Sequence, residues 1–149
     1  MNLIELQLKA DEIAEMYGYP RPIIKLSSRL KRTHGTCDYF TRIITLSTVY
    51  CEIETDEVII NLLKHEIAHL KHPNHGPDFK RACMYMGCDN DKPSSRSEKY
   101  AEYLFNTSKV KYSCPNGHHA GATKPYKVER SCGKCSPTFD RRFLLKLVE

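Results

Sequence analysis

The chain has no stretch approaching the ~20 consecutive apolar residues that a membrane-spanning helix requires. Its opening, MNLIELQLKADEIAEM, has no basic segment ahead of an apolar one. A spanning helix and a secretory leader are therefore not expected, and the chain reads as soluble and cytoplasmic. It lacks internal repeats and low-complexity tracts. It also lacks an even complement of cysteines. Seven thiols without an export signal read as reduced thiols or metal ligands rather than a disulfide framework. With 40% apolar and 28% charged residues over 149 positions, what is present suits one globular domain, or a compact domain with a small appendage.

The net charge of +5 is unevenly spread. Residues 1–107 hold fourteen Lys and Arg against fifteen Asp and Glu, whereas residues 108–149 hold nine against three. The basic excess lies entirely in the tail, so the chain is expected to divide into a domain over 1–106 and a basic appendage over 107–149.

Apolar residues recur at helical spacing over 3–17, ahead of Gly18 and Pro20, and predict a helix there. From Pro22 to Tyr50, β-branched and aromatic runs predict short strands at 23–26, 37–40 and 42–46, with a turn at His34-Gly35. Their short connections predict a small antiparallel sheet. Thr55 is placed to cap a helix whose first turn carries Asp56 and Glu57. This helix is expected to run to about His72, because Pro73 disfavours helical geometry just before it. Ile59, Ile60, Leu63, Ile67 and Leu70 fall on one side of it, and Val58, Leu62, His65, His69 and His72 on the opposite stripe. A further helix is expected from Pro77 to Met86 with Gly87 as its stop, then a polar connection from Asp89 to Ser95. For 97–105 the pattern fits a helix or an extended segment. The expected class is α+β.

His65-Glu66-Ile67-Ala68-His69 is an HExxH motif on the strongest helix of the chain. A spacing of four puts both imidazoles on one side, about one turn apart, where they can share one tetrahedral Zn²⁺. Glu66, about 100° away, stands beside such an ion rather than on it, a position that suits a general base acting on a water whose pKa the ion lowers to roughly 7. A catalytic zinc needs a third protein ligand. His75 is the best candidate, since Asn74 and Gly76 let the chain swing back after Pro73. His72 lies one turn further along and belongs nearer the rim, and Glu98 or Glu102 would serve if the third ligand were acidic. As ordinary core residues, His65, Glu66 and His69 would leave three polar groups to satisfy in an apolar interior, at a cost. For an oxyanion helper, Tyr85, Tyr100 and Tyr103 stand level.

The tail holds a second constellation. Cys132-Gly133-Lys134-Cys135 is C-x2-C, preceded by Cys114-Pro115-Asn116-Gly117-His118-His119. This is the arrangement of a structural zinc ribbon, with Cys114, Cys132 and Cys135 as three ligands and His118 or His119 as the fourth. The Asn116-Gly117 turn favours His118. A tail with few large apolar side chains has little core of its own and should need the metal to fold. Cys37, Cys51, Cys83 and Cys88 match no such pattern and read as small packing residues. Lys109, Lys111, Lys124, Lys127, Arg130, Arg141 and Arg142 are interleaved with Tyr112, Tyr126, Phe139 and Phe143. Cations track phosphates and rings stack on bases, so this composition suits nucleic acid, single-stranded or junction-containing; a solvated basic face is the plainer alternative.

The sequence His65-Glu66-Ile67-Ala68-His69 followed by His75-Gly76-Pro77-Asp78-Phe79-Lys80 resembles the HExxH…HGxxF signature of the SprT/Spartan-like zinc metalloproteases. The tail resembles the zinc ribbon these proteins often carry, with a His in place of one Cys. The resemblance implies a minimal zincin-like domain over 1–106 and a zinc ribbon over 107–149. It implies a catalytic zinc on His65, His69 and His75, with Glu66 as the catalytic carboxylate, and a second, structural zinc. It implies protein substrates trapped on DNA, with discrimination coming from tethering rather than from a side-chain pocket, and so a place on the nucleoid or on nuclear DNA. Two rivals differ in kind: a metallohydrolase with no nucleic-acid partner, and a non-catalytic DNA-binding protein whose HExxH metal is structural.

Overall fold

The computed structural model describes residues 1–30, 33–89 and 98–148. It divides into two compact units, Met1–Ser97 and Glu98–Glu149. No helix among the described residues is long and apolar enough to cross a membrane.

In the first unit, α1 (Leu3–Tyr17) starts at a capping box in which Asn2 and Glu5 satisfy each other's backbone amides, and stops at Gly18 in the left-handed region. Three short strands follow, β1 (Ile23–Ser27), β2 (Gly35–Asp38) and β3 (Ile43–Ser47). β3 is central. It pairs antiparallel with β2, Cys37 opposite Ile44, through a tip where Asp38 Oδ1 accepts from the amides of Phe40 and Thr41. It pairs parallel with β1, Ile24 opposite Ile44. The sheet is therefore mixed, which corrects the all-antiparallel expectation. Two successive reversals restore the original direction, and β3 enters between its predecessors, so β1 and β3 point the same way.

A short helix α2 (Thr48–Ile53), unanticipated from the sequence, follows directly on a Ser47 cap. Next comes α3 (Asp56–Ala68), capped by Thr55 as expected. It ends four residues before His72. Leu70 and Lys71 donate to Ile67 and Ala68, three residues back, so the chain tightens into a turn ahead of Pro73. α4 (Pro77–Met86) begins with proline in its first turn and ends at Gly87, again left-handed. Leu6 and Ala10 of α1, Ile44 and Leu46 of β3, Ile59, Leu63 and Ile67 of α3, and Phe79 and Cys83 of α4 form a core with no solvent exposure. Cys51 is buried with them, and Cys37 and Cys88 are half-buried.

In the second unit, α5 (Glu98–Asn106) settles the undecided segment as a helix. It packs on β5 (His119–Ala122), which pairs with β4 (Val110–Ser113), itself paired with β6 (Lys146–Leu147). Both pairings are antiparallel. The polar connection expected up to Ser95 lies, from Asn90 on, outside the described residues, as does the side chain of Glu98.

Candidate metal centres

The first centre grows out of the end of α3. His65 lies in its last turn and His69 is its C-terminal cap, still right-handed helical, so the two imidazoles stay one turn apart, edge to face, with ring centroids 5.1 Å from each other. The chain turns through 70–74 and returns, bringing His75 to within 3.4 Å of His65, Nε2 to Nε2, and its ring to 4.7 Å from that of His69. Ligand atoms of all three lie within 4.8 Å of one another. A tetrahedral Zn²⁺ with Zn–N bonds of about 2.0–2.1 Å separates its ligand nitrogens by about 3.3–3.4 Å. The His65–His75 pair already has that spacing, and the trio fits the ion.

The nitrogens are also oriented. His65 Nδ1 lies 2.8 Å from the carbonyl oxygen of Asp89, and His69 Nδ1 lies 2.9 Å from that of His72. A carbonyl only accepts, so each Nδ1 carries the proton and each Nε2 presents its lone pair to the centre. His72 thus contributes its carbonyl rather than its ring. Burial pushes the His69 pKa down, which keeps the ring neutral and ready to ligate. Below the trio lies Phe79, in the first turn of α4 and fully buried. It stacks on His69 at 4.4 Å and meets His65 and His75 edge-on at 5.0 and 4.9 Å. The centre grades from buried His65 through half-buried His69 to exposed His75.

Glu66 is 5% exposed, and burial pushes its carboxyl up to about 7. β2 runs directly alongside. A Cβ on Gly35 would stand 3.6 Å from Glu66 Cγ and 2.9 Å from Leu46 Cδ2, so the strand approaches this closely because it has no side chain there. Two residues further along β2, burial pushes the Cys37 thiol up to about 12, with the Glu66 carboxylate adding to the effect.

The second centre gathers Cys114, His118, Cys132 and Cys135. His118 Nδ1 lies 3.5, 3.4 and 3.3 Å from the sulfurs of Cys114, Cys132 and Cys135, and the Cys114 and Cys135 sulfurs are 3.9 Å apart. Zn–S bonds of about 2.3 Å predict about 3.5 Å between thiolate and imidazole and about 3.8 Å between thiolates. The Asn116-Gly117 turn, with Gly117 at φ +83°, carries His118 back to Cys114. His119 instead enters β5 and lies against the ring of Phe105. Around this centre Lys109, Lys124, Lys127, Arg130, Arg141 and Arg142 are exposed and Lys111 is half-buried. Lys111 sits over Phe105 and Arg130 over Tyr126, which itself stacks on Tyr112. Arg141 pairs with Glu129, and Arg142 pairs with Asp140 through two nitrogens.

Of the other sequence candidates, Glu102, Tyr100 and Tyr103 belong to the second unit, and Tyr85 is exposed with its ring edge-on to Tyr17. Sequence reasoning missed Phe79 as a shared wall, Gly35 as the close-approach residue, and the Asp89 carbonyl as the partner of His65.

Comparison with solved structures finds the metallopeptidase zymogen abylysin of Pyrococcus abyssi. It is 25% identical, with 69% of this chain and 89% of that one covered and a TM-score of 0.43. The metallopeptidase zymogen jannalysin of Methanocaldococcus jannaschii is 16% identical, with 68% and 89% covered and a TM-score of 0.48. None of the curated proteins matches the sequence significantly. The family model of the SprT-like family matches residues 6–98.

Proposed function

The chain belongs to the SprT-like family of zinc metalloproteases, and from that premise we propose that its first unit is an HExxH-type endopeptidase in which His65, His69 and His75 hold zinc and Glu66 handles the proton. The convergence of the three imidazoles beside one buried carboxyl carries this reading. Zinc, when bound, polarises a peptide carbonyl and lowers the pKa of a water to roughly 7. Glu66 takes the proton from the attacking water and delivers it to the amine nitrogen as the C–N bond breaks. A carboxyl pushed toward neutrality by burial suits a group that must both accept and release a proton. Substrate enters from the exposed His75 side. β2 is the edge of its sheet, and an extended peptide added along it runs past Glu66. Glu66→Gln tests this assignment: zinc content and fold should be retained while peptide hydrolysis falls by at least a hundredfold, and undiminished turnover would remove Glu66 from the mechanism.

In the same proposal the second unit holds one structural zinc on Cys114, His118, Cys132 and Cys135 and binds DNA, directing the protease to proteins bound or crosslinked there. The support is the excess of nine cations over three acids in residues 108–149, with Lys111 and Arg130 lying over aromatic rings. Lys109, Lys111, Lys124, Lys127 and Arg130 would carry most of the phosphate contacts, because Arg141 and Arg142 already hold acidic partners. Replacing those five by Ala should flatten the dependence of log affinity on log salt by about 0.7–0.9 per lost contact. An unchanged slope would take these five residues out of the phosphate contacts, and a chain that binds no DNA at low salt would be a protease without a nucleic-acid partner.

A further inference from the structure

His65 is the most buried of the three imidazoles, and its orientation is set by a backbone atom, the carbonyl of Asp89. A backbone carbonyl just beyond a helix end is fixed only if something fixes the chain there, and the structure shows what does. α4 ends at Gly87 in the left-handed region, and Cys88 donates back to the Cys83 carbonyl. The chain is thereby turned toward α3, where it meets Asn61, four residues before His65 and so on the same face of the helix. Asn61 grips Asp89 twice. Its Oδ1 accepts from the Asp89 amide at 2.9 Å, and its Nδ2 donates to the Asp89 carboxylate Oδ2 at 2.9 Å. Asparagine is among the weaker helix formers, and here its side chain is spent on a contact 28 residues away rather than on its own helix.

We propose that Asn61 and Asp89 are positioning residues for the three-histidine centre: Asn61 clamps the Asp89 peptide so that its carbonyl holds His65 with Nε2 aimed at the metal. This rests on the reading of His65, His69 and His75 as a zinc site. The two grips differ in what they need. The first uses the Asp89 backbone and survives any replacement of Asp89, whereas the second needs an acceptor oxygen on the side chain. Asn61→Ala removes both, Asp89→Ala removes one, and Asp89→Asn keeps both, because its side-chain oxygen still accepts from Nδ2.

The test measures zinc affinity of the full chain by competition with a chromogenic chelator, with the Cys114, His118, Cys132 and Cys135 centre in the same molecule as internal reference. Partners of this kind contribute 10–100-fold to metal affinity. Asn61→Ala should therefore weaken zinc at the three-histidine centre by 10–100-fold and leave the thiolate centre unchanged. Asp89→Ala should weaken it by a smaller factor, and Asp89→Asn should stay within about threefold of the unmodified chain. Cobalt substitution gives a second readout, since a misaimed His65 alters the visible spectrum of Co²⁺ in that centre. An Asn61→Ala protein that is folded by circular dichroism and binds both ions with unchanged affinity overturns the inference and leaves the zinc site standing. Equal losses in Asp89→Ala and Asp89→Asn overturn the clamp as described. An unmodified chain that binds only the thiolate-centre ion removes the underlying reading itself.

Discussion

Replacing Glu66 by Gln should make the zinc-free protein more stable, and more so as the pH rises. The Glu66 carboxyl is 5% exposed and its pKa is raised by burial from 4.5 to about 7. The folded chain therefore holds this proton more tightly than the unfolded chain does. The resulting stability is complete below pH 4.5 and is lost as the pH climbs through about 7. Above that point folding must bury a carboxylate. At about 1.4 kcal/mol for each tenfold in affinity, the difference is worth roughly 3 kcal/mol at pH 8. Gln has nearly the same shape and does not titrate, so the other ionisable groups largely cancel between the two proteins. The assay is urea unfolding in excess chelator from pH 5 to pH 8, followed at 222 nm, where the helices of the first unit dominate. The stability difference should grow from under 1 kcal/mol at pH 5 to roughly 3 kcal/mol at pH 8. For a unit of this size that corresponds to about 10–20 °C in midpoint temperature. A difference that stays flat across this range would mean that Glu66 is hydrated when the metal is absent, and the argument from burial would fail.

Phe79→Ala should cost about 3–5 kcal/mol, the usual penalty for emptying a fully buried phenyl site. It should also loosen zinc at the histidine centre, because the ring backs all three imidazoles; calorimetric unfolding and metal titration check the two effects separately. Gly35→Val should lower stability and peptide hydrolysis together, since its Cβ would press on Leu46 while standing in contact with Glu66; a fully active, equally stable variant would refute the close approach. Cys132→Ala should release one equivalent of zinc and melt β4, β5 and β6 while leaving α1, α3 and α4 folded, as read by amide hydrogen exchange.

What the sequence revealed was whatever is encoded within a few residues. HExxH specifies two imidazoles on one helical face by spacing alone, and α1 and α4 announce themselves by apolar spacing and a glycine stop. The Asn116-Gly117 turn made His118 the favoured fourth partner of the thiols, where the folded chain puts its Nδ1. The parallel pairing of β1 with β3 was not legible, because strand direction depends on which segment inserts between which, a decision made by the whole sheet. α2 was hidden because Thr-Val-Tyr-Cys has the texture of a strand and only the Ser47 cap turns it into a helix. The partner of His65 was invisible for a different reason: it is a carbonyl, and every residue has one.

α4 is pinned at both ends. Its first turn supplies the Phe79 ring beneath the imidazoles, and its far end delivers the Asp89 carbonyl to one of them. One residue added between these points would rotate everything after it by about 100° and lengthen the helix by about 1.5 Å, so ring and carbonyl could no longer serve the same three histidines. Exposed positions such as Lys80 and Met84 are free to vary in kind. The number of residues between Phe79 and Asp89 is not: this helix acts as a measured spacer, and its length should drift more slowly than its composition.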